Sequence, residues 1–200
     1  MKKNSDSSQS SPVLCRFQVD RRTVLGGMAG LAGLSVLPAS AQDDIATAPP
    51  APGDYLVFAG GEDRTTPLTP DSLVPNAGQV QAWPVDPATD TVRNGTLYNL
   101  LVLTRWDPAV LSPEGQEYAA EGVVAQTAIC THAACEVTDW IADSFHMECP
   151  CHFSRFDPRQ NGAVIQGPAT RKLPALALAM EDGRIVVKAP FDGRVGGDTA

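Results

Sequence analysis

Aromatic residues make up only 6% of this 200-residue chain, and histidine occurs three times. The apolar run Val24 to Leu37 stops at 14 residues and contains four glycines and a serine, short of the roughly 20 apolar residues that cross a bilayer as a helix. Also absent are a Gly-x-Gly-x-x-Gly run, a CxxCH haem-attachment sequence and an evident Ser/His/Asp constellation. Nothing therefore points to a dinucleotide site, a covalent haem or a nucleophilic hydrolase. What the chain does have is glycine and proline, 17 of each, within a composition that is 43% apolar. That balance favours short strands joined by turns over long helices, in one modest globular domain with extensions.

Short β-like runs rich in Val, Leu and Ile recur at Asp54 to Ala59, Leu97 to Trp106 and Val123 to Ile129, separated by Pro, Gly and Asp. Ala175 to Met180 and Arg184 to Lys188 flank Glu181-Asp182-Gly183, where Asp-Gly predicts a tight hairpin. Pro70 to Leu73 reads as a single helical turn, and the charged stretch Glu114 to Glu121 as a loop or short helix. The fold class expected is all-β, an antiparallel sandwich over residues 54–190 with no internal repeat. Residues 42–53, with Ala48-Pro-Pro-Ala-Pro-Gly53, read as a semi-extended linker, and 191–200 as a C-terminal tail. Trp83, Trp106 and Trp140 are expected in the core or at its rim, and His146 as an ordinary strand residue.

The N-terminal 41 residues differ in character. Met1 to Pro12 is polar and Ser-rich, without apolar periodicity. Arg21-Arg22-Thr23-Val24-Leu25 then opens the apolar run, and Ala39-Ser40-Ala41 offers a small-residue cleavage site. The paired Arg21 and Arg22 resemble a twin-arginine export signal, which implies a periplasmic protein; an uncleaved signal would tether it to the inner membrane. Cys15, upstream of the arginines, has no assigned role. Removing residues 1–41 takes five basic and two acidic side chains from the chain's 15 and 23, leaving 10 and 21, net −11. That balance argues against nucleic acid and anionic lipid, and suits either a basic partner face or plain solubility.

Two boxes carry the chemistry: Cys130-Thr-His132-Ala-Ala-Cys135 and Cys149-Pro-Cys151-His152-Phe-Ser154. Cys-x-His in one and Cys-x-x-His in the other would set two thiolates and two imidazoles in paired loops, with Cys135 and Cys151 left over. A structural zinc site uses the same donors at similar spacings and is the alternative, though it leaves that second cysteine pair unexplained. The boxes, with the later Gly167-Pro168-Ala169, closely resemble those of high-potential Rieske proteins across about Val124 to Lys188, with the cluster-binding loops at about 124–172.

The resemblance implies one [2Fe-2S] cluster, with Cys130 and Cys149 on the inner iron and His132 and His152 on the outer one. Two histidines in place of two thiolates raise the potential above that of plant-type ferredoxins. It further implies a Cys135–Cys151 disulfide between the loops, a cluster-tuning hydrogen bond from Ser154, and a shielding third loop at Gly167 and Pro168. The chain departs from the pattern at Phe153, where the family has Gly, and at Phe156, where it has a Tyr whose hydroxyl bonds a ligating sulfur.

With two histidines committed, only His146 remains, too few for the second mononuclear iron of a Rieske oxygenase. The resemblance therefore implies a one-electron carrier or electron-transfer subunit rather than a self-contained catalyst. Its redox partner would be a c-type cytochrome, or the large subunit of a molybdenum oxidoreductase or dehydrogenase. The alternative is the quinol-oxidising subunit of a cytochrome bc-type complex; the short apolar run, and Ala133-Ala134 where those subunits carry Leu-Gly, speak against it. A third, non-redox reading keeps the iron-sulfur domain for structure or partner binding.

Overall fold

Leu101 and Leu103 enter one apolar core while their neighbours Leu100 and Val102 enter another, so a single strand separates two buried layers. This two-residue alternation is the pleat itself, and it explains why the run lacks polar residues on either face. The computed structural model describes residues 39–61 and 65–198; Cys15, Arg21 and Arg22 lie outside them. In chain order the strands are β1 (Tyr55–Phe58), β2 (Val80–Asp86), β3 (Thr91–Val92), β4 (Leu101–Arg105), β5 (Val123–Thr127), β6 (Asp139–Ile141), β7 (His146–Cys149), β8 (Ser154–Asp157), β9 (Ala163–Gln166), β10 (Ala175–Glu181) and β11 (Arg184–Ala189). Two short helices, α1 (Ala39–Thr47) and α2 (Pro113–Tyr118), accompany them.

The larger sheet runs β1-β11-β10-β5-β4-β2-β3, and a further β1–β2 pairing closes it into a barrel. Closure leaves no open edge among the six strands other than β3, which pairs with β2 alone. The barrel holds Leu56, Leu101, Leu103, Val123, Ala125, Leu176, Leu178, Ile185 and Val187. The expected sandwich is thus a closed sheet with a second one against it. That second sheet, β6-β7-β8-β9, is inserted between β5 and β10. Its core joins Met147 and Phe156 to Leu100 and Val102 from the barrel side.

The Asp182-Gly183 hairpin forms as expected, with positive φ of 50° and 78° at its two central residues and Glu181 opposite Arg184. α2 starts where Ser112 Oγ accepts from Gly115 N–H, with Pro113 at the first helical position. β2 was not legible because Pro84 lies within it. The structure accommodates Pro84 where the strand changes partner: β4 pairs with Val80 to Ala82, β3 with Val85 and Asp86. The run from Leu97 begins as a helical turn rather than a strand, because Thr96 Oγ1 caps it by accepting from Tyr98 N–H.

Residues 42–53 also differ from the semi-extended reading. α1 reaches Thr47, and the chain beyond is held to the body. Gly95 N–H donates to Ala46 O (2.9 Å), Asn99 Nδ2 to Ala48 O (2.8 Å) and Arg93 Nη1 to Ile45 O (3.2 Å). Arg93 is itself buried, with a bidentate grip on Asp54 at 2.6 and 3.0 Å. Periodicity missed this helix because its stability comes from tertiary hydrogen bonds, not from an apolar face.

Candidate metal centre

The two boxes fold into two copies of one turn. In the first, the Cys130 carbonyl accepts from Ala134 N–H at 3.0 Å; in the second, the Cys149 carbonyl accepts from Phe153 N–H at 2.9 Å. The closing residues have left-handed φ of 58° and 57°. The first turn sits on a bridge between Ile129 and Glu136, closed by Cys130 N–H to Cys135 O (2.8 Å). The second is the end of the β7–β8 hairpin, where Cys149 pairs with Ser154. Cys135 and Cys151 join the turns through a disulfide, Cα atoms 6.5 Å apart.

Cys130 and Cys149 are both buried and outside the disulfide. Burial pushes the Cys149 thiol up to about 11, and the neighbouring Cys130 thiol adds to the rise, while the backbone N–H groups of Cys151 and His152 pull the other way. Those N–H groups make the pocket suitable for a sulfur that carries negative charge when metal is bound. The His132 and His152 rings approach to 4.6 Å between centroids at an interplanar angle of 87°. The sulfurs of Cys135, Cys149 and Cys151 also lie within 4.8 Å of one another. Two of these three share the disulfide bond, so they are not a thiolate set; the grouping marks Cys149 lying close beside the bridge.

The remaining expected site residues converge here too. Ser154 is fully buried, and its Oγ accepts from Ala169 N–H at 3.2 Å, which leaves its own proton for a second partner. Gly167 has φ of +92°, and a Cβ there would stand 2.5 Å from Ser154 Cα and 2.8 Å from Phe153 O. The third loop, with Pro168 exposed on it, therefore lies flush on the second box only because residue 167 is glycine. Phe156, fully buried, shares the apolar cluster of Cys130 and Cys149. Phe153, by contrast, is 60% exposed. His146 opens β7 opposite Ile141, as an ordinary strand position. Trp106 is buried and meets Trp140 and Phe145, with ring centroids at 6.2 and 5.7 Å, below the Arg159 guanidinium.

Sequence reasoning missed the partners of Thr131, which lies between Cys130 and His132. Its Oγ1 donates to Arg171 O at 2.7 Å, and its carbonyl accepts from Asp198 N–H at 3.2 Å. The adjacent glycines Gly196 and Gly197 were the available hint of a close approach.

Two buried thiols, two apposed imidazoles and N–H groups aimed at sulfur suit an iron-sulfur centre with mixed ligands, the equipment of an electron-transfer protein. Residues 82–177 match the family described as the Rieske [2Fe-2S] domain. A domain of that family binds one [2Fe-2S] cluster, and the matched residues of this chain include the cysteines of both boxes. A Rieske subunit named for a respiratory nitrate reductase in Haloferax mediterranei is 38% identical over 81 residues, 40% of this chain and 36% of that protein. The cytochrome bc1 complex Rieske iron-sulfur subunit of Streptomyces coelicolor is 28% identical over 195 residues, 92% of this chain and 54% of that one. The cytochrome b6-f complex iron-sulfur subunit of Prochlorococcus marinus (strain MIT 9211) is 39% identical over 92 residues, 45% and 49% of the two chains.

The chain spans about a third to a half of the length of these curated relatives. Among solved structures, the ferredoxin of carbazole 1,9a-dioxygenase from Nocardioides aromaticivorans IC177 is similar at TM-score 0.40 and 24% identity, over 62% of this chain and 93% of that one. No helix among the described residues is long and apolar enough to cross a membrane.

Proposed function

We propose that Cys130, Cys149, His132 and His152 ligate the cluster, and that the protein uses it to carry single electrons for a periplasmic oxidoreductase, as a small subunit or free carrier. The observation that supports this most is the pairing of two identical turns, each contributing one buried thiol and one imidazole, tied together by the Cys135–Cys151 bridge. The cluster would supply a one-electron couple, held by the four residues named and tuned by the groups around them. His152 is exposed, so a partner can approach the outer imidazole directly. The N–H groups of Cys151 and His152, joined by the Ser154 hydroxyl if the proton left over from its bond with Ala169 N–H is turned to the cluster, favour the more negative, reduced state. Phe156 offers no such donor.

Export by the twin-arginine route, with Arg21 and Arg22 as the recognition pair, lets the cluster be inserted in the cytoplasm and the disulfide close after arrival. The partner would be a c-type cytochrome or the large subunit of a molybdenum oxidoreductase or dehydrogenase. A second reading, the quinol-oxidising subunit of a cytochrome bc-type complex held by an uncleaved signal, is favoured by the 92% of this chain that aligns with the Streptomyces subunit.

Expression of the full chain with Arg21 and Arg22 both changed to Lys tests the export step, because lysine cannot reproduce two guanidinium groups. A folded precursor stranded in the cytoplasm is the expected result; normal export would refute it. Salt washing of membranes then separates the readings, with release expected for the carrier and retention through alkaline carbonate for the anchored subunit. Rapid reduction of the purified protein by a quinol, within an isolated complex, would transfer the argument to the second reading.

A further inference from the structure

Residues 191–198, read from sequence as a tail, are docked on the first of the two turns. Arg171 draws them in: its Nε donates to Asp198 Oδ1 at 2.7 Å, its Nη1 to Arg194 O at 2.6 Å, and its Nη2 to Gly196 O. Asp198 is held from two further sides, by Thr170 Oγ1 at 2.8 Å and Arg194 Nη2 at 2.9 Å. Gly196 and Gly197 are buried by this docking. A Cβ on Gly197 would lie 2.8 Å from His132 O, 2.9 Å from Ala134 N and 3.0 Å from Ala133 Cα. A Cβ on Gly196, whose φ is +98°, would lie 2.8 Å from Tyr98 Cε1. The two glycines let the strap lie flush on the loop.

The strap reaches the metal site through Thr131. Arg171 touches the loop with its backbone, accepting from Thr131 Oγ1, and touches the strap with its side chain; the strap's Asp198 N–H then donates to Thr131 O. Both polar ends of the residue between Cys130 and His132 are thus satisfied by one clasp. The second turn has no equivalent from this segment among the contacts described. We infer that Arg171 and the 191–198 strap are positioning elements for the first cluster loop. They hold the Cys130–His132 backbone in one arrangement, so that His132 keeps its place when the cluster's charge changes by one. This rests on the ligand reading above for its consequence, but not for its geometry.

Hydrogen–deuterium exchange of the full chain, loaded and cluster-free, is the test, using Arg171→Ala and Gly197→Leu, which open the clasp from opposite sides. Both should raise exchange in the 130–136 segment about fivefold to tenfold, the scale of one lost hydrogen bond, and leave the 149–153 segment at the wild-type rate. Arg171→Lys should recover only part of the protection, since a compact ammonium does not reproduce the planar fork that spans the three acceptors. In loaded protein, both variants should broaden the paramagnetic signal of the reduced cluster and displace its midpoint, which a merely structural strap would leave untouched. Unchanged exchange at 130–136 in both variants, or an equal rise in both turns, would overturn the inference. Wild-type protein without iron and sulfide would instead overturn the ligand reading, while the cluster-free exchange still reports on the clasp.

Discussion

The two turns that carry the proposed ligands have the same backbone and opposite surroundings. Each closes from a cysteine carbonyl to an N–H four residues on, at a residue with φ near +58°. Yet His132, Ala133 and Ala134 are half-buried beneath the strap, whereas His152 and Phe153 stand in solvent. Local geometry alone therefore does not distinguish a ligand that is fixed from one that is presented. The neighbours decide it: the strap and Arg171 on one side, the β7–β8 hairpin and the Gly167 loop on the other. One turn is covered by its neighbours, and the other is open to solvent.

The comparison breaks completely if either turn loses its thiol. Cys130→Ala and Cys149→Ala should each take iron and acid-labile sulfide from about two per chain to background, by metal analysis and by loss of the rhombic signal after dithionite. Stoichiometric zinc without sulfide in the wild type would remove the premise. His132→Ala should act as severely as the cysteine changes.

Uncoupling the turns is the next largest change. Replacing Cys135 and Cys151 together by alanine removes a cross-link over a separation of 16 residues, normally worth about 2 to 4 kcal/mol. Under oxidising conditions the cluster should bleach sooner on warming, and the exposed second turn should gain exchange before the strapped first one. Equal bleaching half-lives would show that the bridge contributes nothing.

Phe156 is buried in the same apolar cluster as Cys130 and Cys149. A hydroxyl there that donates to a ligating sulfur favours the reduced cluster by about 1.5 to 3 kcal/mol. Phe156→Tyr should therefore raise the one-electron midpoint by roughly 60 to 130 mV at most, measured by protein-film voltammetry at one pH. An unmoved potential with an intact cluster would place the side chain off the sulfur.

The smallest effect belongs to the residues that close the turns. A left-handed φ costs an L-residue about 1 to 2 kcal/mol, and glycine returns roughly 0.5 to 1 kcal/mol of that as lost chain entropy. Phe153→Gly and Ala134→Gly should each stabilise the protein by up to about 1 kcal/mol in urea titrations. The gain at Ala134 should be smaller if the strap already enforces the turn, so two equal gains would argue that the strap adds no constraint there.

Most of the site could be read without coordinates because its donors are short-range. Cys130 with His132, and Cys149 with His152, each sit on a single turn, and a turn is dictated by a few consecutive residues. The Asp182-Gly183 hairpin was legible for the same reason. β2 was hidden by Pro84, whose position between two strand partners exists only in the closed sheet. The helix α1 was hidden because Arg93 and Asn99, some fifty residues away, supply the hydrogen bonds that hold it.

The chain's own chemistry specified two turns that each carry cysteine and histidine, and an all-β scaffold, since spacing and pleat alternation act between near neighbours. Folding specified the rest: the closure of the barrel through β1 and β2, the burial of Phe156 in one cluster with Cys130 and Cys149, and the clasp that joins Thr131, Arg171 and Asp198. The clasp's own hydrogen bonds link residues 40 and 27 positions apart. No local propensity favours them, and only the packed structure brings their partners within reach of a hydrogen bond.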